Sequence, residues 1–175
     1  GLDRLAACVT KPLKIEEPMA NHTSFHIGGP ADVLAQPQSV AELQSLLKAA
    51  KELELTVTLI GNGSNLLVRY KGIRGLVIKL GNALKDIAVE GNMITFGSGV
   101  SLAMAAKKAA SLGLSGMEFA SGIPGSIGGA VYMNAGAYDG EMSMVVRQVE
   151  VLNLQGEVEA LKAESLDFSY RHSAL

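Results

Sequence analysis

The 175 residues contain no tryptophan and only one cysteine, Cys8. A lone thiol closes no internal disulfide and has no cysteine companions with which to hold zinc. The chain therefore suits a reducing compartment, and Cys8 reads as a small side chain in a partly buried N-terminal helix. No apolar run approaches the roughly 20 residues a membrane-spanning helix needs. The N-terminus carries Asp3 and Arg4 where a signal peptide would have a basic stretch followed by an apolar one. A cytoplasmic location is expected, with no membrane partner. Neither sign of charge dominates: 15 scattered lysines and arginines meet 17 acidic residues. That balance leaves no electrostatic footprint for a nucleic acid. Hydrophobic residues make up 48%, enough for a folded chain of this length to bury a core.

What is abundant is glycine, 20 residues in all, with eight between Gly113 and Gly140. The densest stretch, Ser121 to Tyr138, reads SGIPGSIGGAVYMNAGAY. Glycine has no Cβ, so backbone N–H groups in such a loop can crowd against a ligand. If the loop enters a short helix near Ser126 to Met133, the free N–H groups of its first turn favour a phosphate. The stretch reads as a pyrophosphate cradle. The alternative is a glycine-rich turn between tightly packed elements.

In chain order, Leu2 to Val9 suits a short helix, and Pro12 and Pro18 punctuate a polar connector. Strands are expected over Thr23 to Ile27, Asp32 to Gln36, Thr56 to Ile60 and Gly75 to Leu80. Ser39 and Glu42 make a capping box for an amphipathic helix ending near Leu53, with Val40, Leu43, Leu46, Leu47 and Ala50 at helical spacing. Ile87 to Val89 and Met93 to Phe96 flank Gly91-Asn92 as a hairpin. Ser101 caps a helix to Leu112 that Gly113 closes, and Val145 to Leu154 and Glu157 to Leu161 pair as strands. His22 and His26 are four apart, but the Gly-Gly-Pro that follows opposes a helix, so no metal site is expected. Met117, Met133, Met142 and Met144 read as gap-filling core.

A second loop, Gly61-Asn62-Gly63-Ser64-Asn65, follows the third strand. It is not a Rossmann fingerprint, because Leu66 stands where the third glycine belongs and LLVRY looks extended. It reads equally as a second phosphate-facing loop or as a polar turn.

Four motifs in order, NHTSFHIGGPAD (Asn21 to Asp32), LIGNGSNLL (Leu59 to Leu67), GMEFASGIPGSIGGAVYMNAGAY (Gly116 to Tyr138) and YRHS (Tyr170 to Ser173), carry a resemblance. The chain resembles the flavin-binding fold of the p-cresol methylhydroxylase and vanillyl-alcohol oxidase superfamily, and within it the UDP-N-acetylenolpyruvoylglucosamine reductase family. The resemblance implies an α+β, two-lobed FAD-binding fold of the p-cresol methylhydroxylase type with the C-terminal substrate domain absent. The lobes would be residues 21–80 and 81–175, after a lead-in over 1–20. It implies that Gly61, Asn62, Gly63, Ser64 and Asn65 hold the FAD pyrophosphate. Gly122, Ile123, Pro124, Gly125, Ser126, Gly128 and Gly129 would line the flavin and diphosphate, and Asn134, Ala135, Gly136 and Ala137 would complete the pocket.

The reaction so implied is NADPH-dependent reduction of UDP-N-acetylglucosamine enolpyruvate to UDP-N-acetylmuramate, a peptidoglycan precursor. Arg171 matches the family's active-site arginine, whose planar fork suits a carboxylate gaining charge. Tyr170 matches a substrate-contacting neighbour. The family's proton donor and assisting glutamate lie in the substrate domain, so this chain reads as a fragment, inactive by itself. Another flavin oxidoreductase of the superfamily and a non-catalytic nucleotide-binding module are the alternatives.

Overall fold

The computed structural model describes residues 1–80 and 83–175, and contacts divide it into two units. The first comprises Gly1–Leu84 with Leu152–Glu157, and the second Lys85–Val151 with Val158–Leu175. The segment read as a lead-in, residues 1–20, is integral to the first unit. The boundary read at 80/81 falls against residues 81 and 82, which lie outside the described residues.

The first unit is built on a four-stranded sheet. Its elements are α1 (Leu2–Ala6), β1 (Lys14–Pro18), β2 (Pro30–Ala35), α2 (Val40–Glu52), β3 (Val57–Ile60) and β4 (Ile73–Lys79), and the strand order is β1-β2-β4-β3. β2 and β3 run parallel to β4, and β1 lies antiparallel on the edge. The central strand is apolar on both faces, as a covered parallel strand requires. Leu76 and Ile78 face Leu43, Leu46, Leu47 and Ala50 of α2, while Val77 faces Met19, Ala31, Leu34, Ile60 and Val68. Each fully buried leucine or isoleucine contributes roughly 1.5–3 kcal/mol. The α2 start forms as expected, with Glu42 N–H donating to Ser39 Oγ at 3.2 Å. The reciprocal arm of the capping box goes elsewhere: Glu42 Oε2 accepts from Gln38 N–H at 2.8 Å, and Oε1 accepts from Thr10. Those bonds, Gln38 first, hold the Glu42 carboxyl below its ordinary pKa.

Two expectations for this unit fail. The strand over Thr23–Ile27 does not form, because the Thr23 hydroxyl donates to the Ile27 carbonyl at 3.2 Å and folds the segment on itself, with His26 at φ +54°. The connector before it forms β1, whose polar residues and Pro18 are tolerable because an edge strand has a side free of partners.

The second unit holds the hairpin β5 (Ile87–Glu90) and β6 (Met93–Phe96), α3 (Leu102–Ser111), α4 (Ile127–Tyr132), and a small hairpin of β7 (Gly136–Ala137) and β8 (Gly140–Glu141). The hairpin of β9 (Gln148–Leu152) and β10 (Val158–Lys162) follows, and its tip is grouped with the first unit, where Gln44 Nε2 donates to the Gly156 carbonyl at 2.7 Å. α3 buries Leu102, Ala105, Ala106 and Ala109, the face its spacing predicts. Met142 is buried as read, whereas Met144 is 61% exposed and is not core.

Candidate functional site

In the first unit the Gly61–Asn65 loop leaves the carboxyl end of β3, the position where parallel sheets receive ligands. Its fold is set by a close backbone crossing. A Cβ on Gly63 would stand 1.9 Å from the His22 carbonyl oxygen, its φ is +68°, and the Ser24 N–H donates to the Gly63 carbonyl at 3.0 Å. Among the described residues, the N–H groups of Gly61, Asn62 and Asn65 donate to no protein acceptor. The Asn62 and Asn65 side chains are exposed, while Gly63 is buried and Ser64 is half-buried.

The second unit corrects the reason for expecting a phosphate at the short helix. α4 starts where expected, with Ser126 as its cap, but its first-turn amides are occupied. Ile127 N–H donates to Val100 O (2.8 Å), Gly128 N–H to Ser98 O (2.9 Å) and Gly129 N–H to Ser126 Oγ (3.4 Å). The donors left over lie one step earlier, where the amides of Gly125 and Ser126 meet no protein acceptor among the described residues. The glycines divide the work. Gly128 is required by protein packing, since a Cβ would stand 2.8 Å from that of Ser98. A Cβ on Gly122 would meet nothing within 4 Å, and one on Gly129 only Ser126 Oγ at 3.6 Å. Ile123 is half-buried and Pro124 exposed.

Asn134 ends α4 in a left-handed conformation, φ +45°. Its N–H donates to Val131 O (3.2 Å) and that of Ala135 to Ala130 O (2.8 Å), the paired bonds of a Schellman cap with asparagine in place of glycine. The Asn134 side chain is 2% exposed and works at both ends: Nδ2–H donates to Ser169 O and Oδ1 accepts from Ser143 N–H, each at 2.9 Å. It thereby ties the β8 end to the C-terminal turn. That turn is closed by Ser169 N–H to His172 O (3.1 Å) and His172 N–H to Ser169 O (3.2 Å), with Tyr170 and Arg171 at its tip. Ser173 Oγ–H donates to Tyr132 O at 2.7 Å and anchors it from the other side.

Asn134, Gly136, Ala137, Tyr170 and Arg171 line one cavity of about 210 Å³ with Tyr138, Glu141 and Met144. Five of the residues singled out in the sequence thus meet, while Ala135 is buried beneath them. The Arg171 guanidinium lies 5.6 Å from the Tyr170 ring centroid, within cation–π range. Glu141 was missed. Its carboxylate accepts from Ser143 Oγ–H at 2.5 Å. The Ser143 and Asn134 bonds and the nearby Arg171 charge hold its carboxyl below the ordinary pKa. Tyr138 and Asp139 form a two-residue turn with φ +50° and +61°, the type I′ geometry, and Tyr138 stands 93% exposed on the rim. His22 is buried between Glu17 and Lys79, His26 is exposed, and among the described residues no cluster suits a metal.

Residues 31–162 match the family model described as FAD binding domain. The chain belongs to that family. This FAD binding domain is 50% identical over 159 residues to the UDP-N-acetylenolpyruvoylglucosamine reductase of Bacillus subtilis (strain 168), covering 91% of this chain and 52% of that protein. The crystal structure of the Thermus caldophilus UDP-N-acetylenolpyruvylglucosamine reductase superposes with a TM-score of 0.73 at 34% identity, covering 94% of this chain and 56% of that one. 4-Ethylphenol oxidase from Gulosibacter chungangensis, at 14% identity and TM-score 0.67 over 91% of this chain and 34% of its own, shares the fold alone. The chain spans about half the length of the curated relatives it matches. The expected α+β fold of the vanillyl-alcohol oxidase type is therefore the fold observed.

The residues of the FAD binding domain fit its cofactor. Two loops hold unpaired amide donors, two glycines keep open space, and Ser98 Oγ is buried without a protein partner among the described residues. Gly63→Ala is expected to weaken FAD binding at least tenfold, because a left-handed alanine costs about 1–2 kcal/mol before the clash with His22 is relieved. Flavin titration of the stripped protein measures it, and unchanged affinity would show that the loop does not hold the cofactor.

Proposed function

We propose that this chain is the FAD-holding part of an NADPH-dependent UDP-N-acetylenolpyruvoylglucosamine reductase, acting in the cytoplasm in peptidoglycan precursor synthesis. The observation that carries this reading is the 50% identity spread over nine-tenths of the chain. In it, Gly61 to Asn65 donate main-chain and side-chain hydrogen bonds to the FAD pyrophosphate, and Gly122 to Ser126 with Gly128 and Gly129 pack against the cofactor. When bound, FAD supplies the hydride chemistry.

The chain's own residues do the rest. Arg171 pairs with the enolpyruvyl carboxylate and stabilises the negative charge that grows there as the double bond is reduced. Tyr170 supports that guanidinium with its ring face and contacts substrate. Asn134 holds the Tyr170–Arg171 turn through the Ser169 carbonyl, while Ala135, Gly136 and Ala137 keep the neighbouring wall free of bulk. Glu141, ionised at neutral pH, repels a misplaced acid group and favours the orientation in which the carboxylate meets Arg171. No helix among the described residues is long and apolar enough to cross a membrane.

The test is optical. The intact protein should be yellow, NADPH should bleach it anaerobically, and UDP-N-acetylglucosamine enolpyruvate should restore the colour. A flavin that the enolpyruvyl ether does not reoxidise would refute the substrate assignment, and reoxidation by a phenol or hydroxy acid would favour a related oxidase.

A further inference from the structure

We infer that Lys79 is a charge partner of the bound FAD diphosphate, held in place by His22; this rests on the reading of the Gly61–Asn65 loop as the diphosphate loop. Lys79 is the last residue of β4 and lies in register with Ile60, the residue directly before Gly61. Its ammonium donates to His22 Nδ1 at 3.1 Å, and among the described residues no carboxylate pairs with it. A lysine ammonium only donates, so Nδ1 is the bare acceptor and the ring proton sits on Nε2. From there it is donated to Glu17 Oε1 at 2.8 Å. Glu17 also accepts from Lys14 at 3.0 Å, and those two contacts, Lys14 first, hold its carboxyl below the ordinary pKa. Its charge is thus shared with Lys14 and is turned away from Lys79 by the imidazole between them.

The outcome is a half-buried cation hydrogen-bonded to a neutral ring, with further positive charge nearby. Burial first, then the charges of Lys14 and Lys11, lower the Lys79 pKa, which marks a spot where an incoming anion is favoured. His22 couples this cation to the loop through a single residue, because the carbonyl that packs on Gly63 belongs to the same residue whose ring orients Lys79. Three unpaired amides in the loop would suit a neutral acceptor or an anion alike; the lysine selects the anion.

Isothermal titration of the flavin-stripped protein with FAD, ADP and adenosine tests it. Lys79→Met is expected to weaken FAD and ADP binding 10- to 100-fold, the range of one charge-assisted hydrogen bond, with adenosine unchanged. Lys79→Arg should stay within about threefold of the parent, and the fall of ADP affinity with salt should be shallower for Lys79→Met than for the parent. Nitrogen shifts of His22 should report the Nε2–H tautomer. An unchanged ADP-to-adenosine affinity ratio in Lys79→Met overturns the inference while leaving the FAD reading intact, and an Nδ1–H tautomer overturns the role of His22. A parent protein that takes up no FAD sinks both. Should Lys79→Met fail to fold, Lys79→Gln makes the same comparison.

Discussion

Arg171→Leu is expected to lower enolpyruvate reduction by about a thousandfold in the intact protein while FAD stays bound. The guanidinium sits at the tip of a turn fixed on one side by Asn134 and on the other by Ser173, so it meets a carboxylate with little reorganisation. Losing one preorganised donor at a developing negative charge costs about 10²–10³ in rate, and arginine offers two parallel donors with a formal charge. Arg171 lines the cavity with Tyr170 and the β7–β8 hairpin and belongs to neither glycine loop, so flavin content should not change. The measurements are kcat/KM with the enolpyruvyl substrate and the flavin-to-protein absorbance ratio. Turnover within tenfold of the parent would remove Arg171 from the mechanism.

Asn134→Ala is expected to cost roughly 4 kcal/mol of stability in the second unit. It strands the Ser169 carbonyl and the Ser143 amide, each worth about 1–3 kcal/mol when left unpaired in the interior. It also places alanine at φ +45°, adding about 1–2 kcal/mol. Urea unfolding followed by far-ultraviolet circular dichroism reads the total. Asn134→Gly loses the same side-chain bonds but accepts the left-handed conformation, so the difference between the two variants isolates the backbone part. A loss below about 1 kcal/mol in Asn134→Ala would mean that the turn bearing Arg171 is held by something else.

Elements with local signals were legible. Ser39 and Ser101 before apolar repeats at helical spacing gave α2 and α3 nearly to the residue, and Gly91-Asn92 between β-branched runs gave the β5–β6 hairpin. β1 was not legible, since an edge strand of Lys14–Pro18 is selected by its partner β2 and has no apolar face of its own. The Thr23–Ile27 segment misled because its alternation is real, yet a side-chain hydrogen bond within it outweighs pairing.

The site was legible as motifs and not as bonds. Glycine density marked both loops, but that the amides of α4 are taken by Ser98, Val100 and Ser126 depends on a segment 30 and 27 residues earlier in the first two cases. Lys79 gave no signal, because a lysine closing the strand IRGLVIK is common at a solvated strand end, and only the fold sets it against His22. Glu141 was hidden similarly, its significance arising from Asn134 seven residues earlier and Arg171 thirty residues later.

Tyr70, Tyr132, Tyr138 and Tyr170 are 82%, 56%, 93% and 86% exposed, and with tryptophan absent they are the chain's only strong ultraviolet emitters. Core melting will therefore be nearly silent in intrinsic fluorescence. Two of the four, Tyr138 and Tyr170, border the cavity that holds Arg171, so the same emission becomes a native reporter of site occupancy, dimmed by energy transfer when a flavin settles nearby and recovering as it leaves.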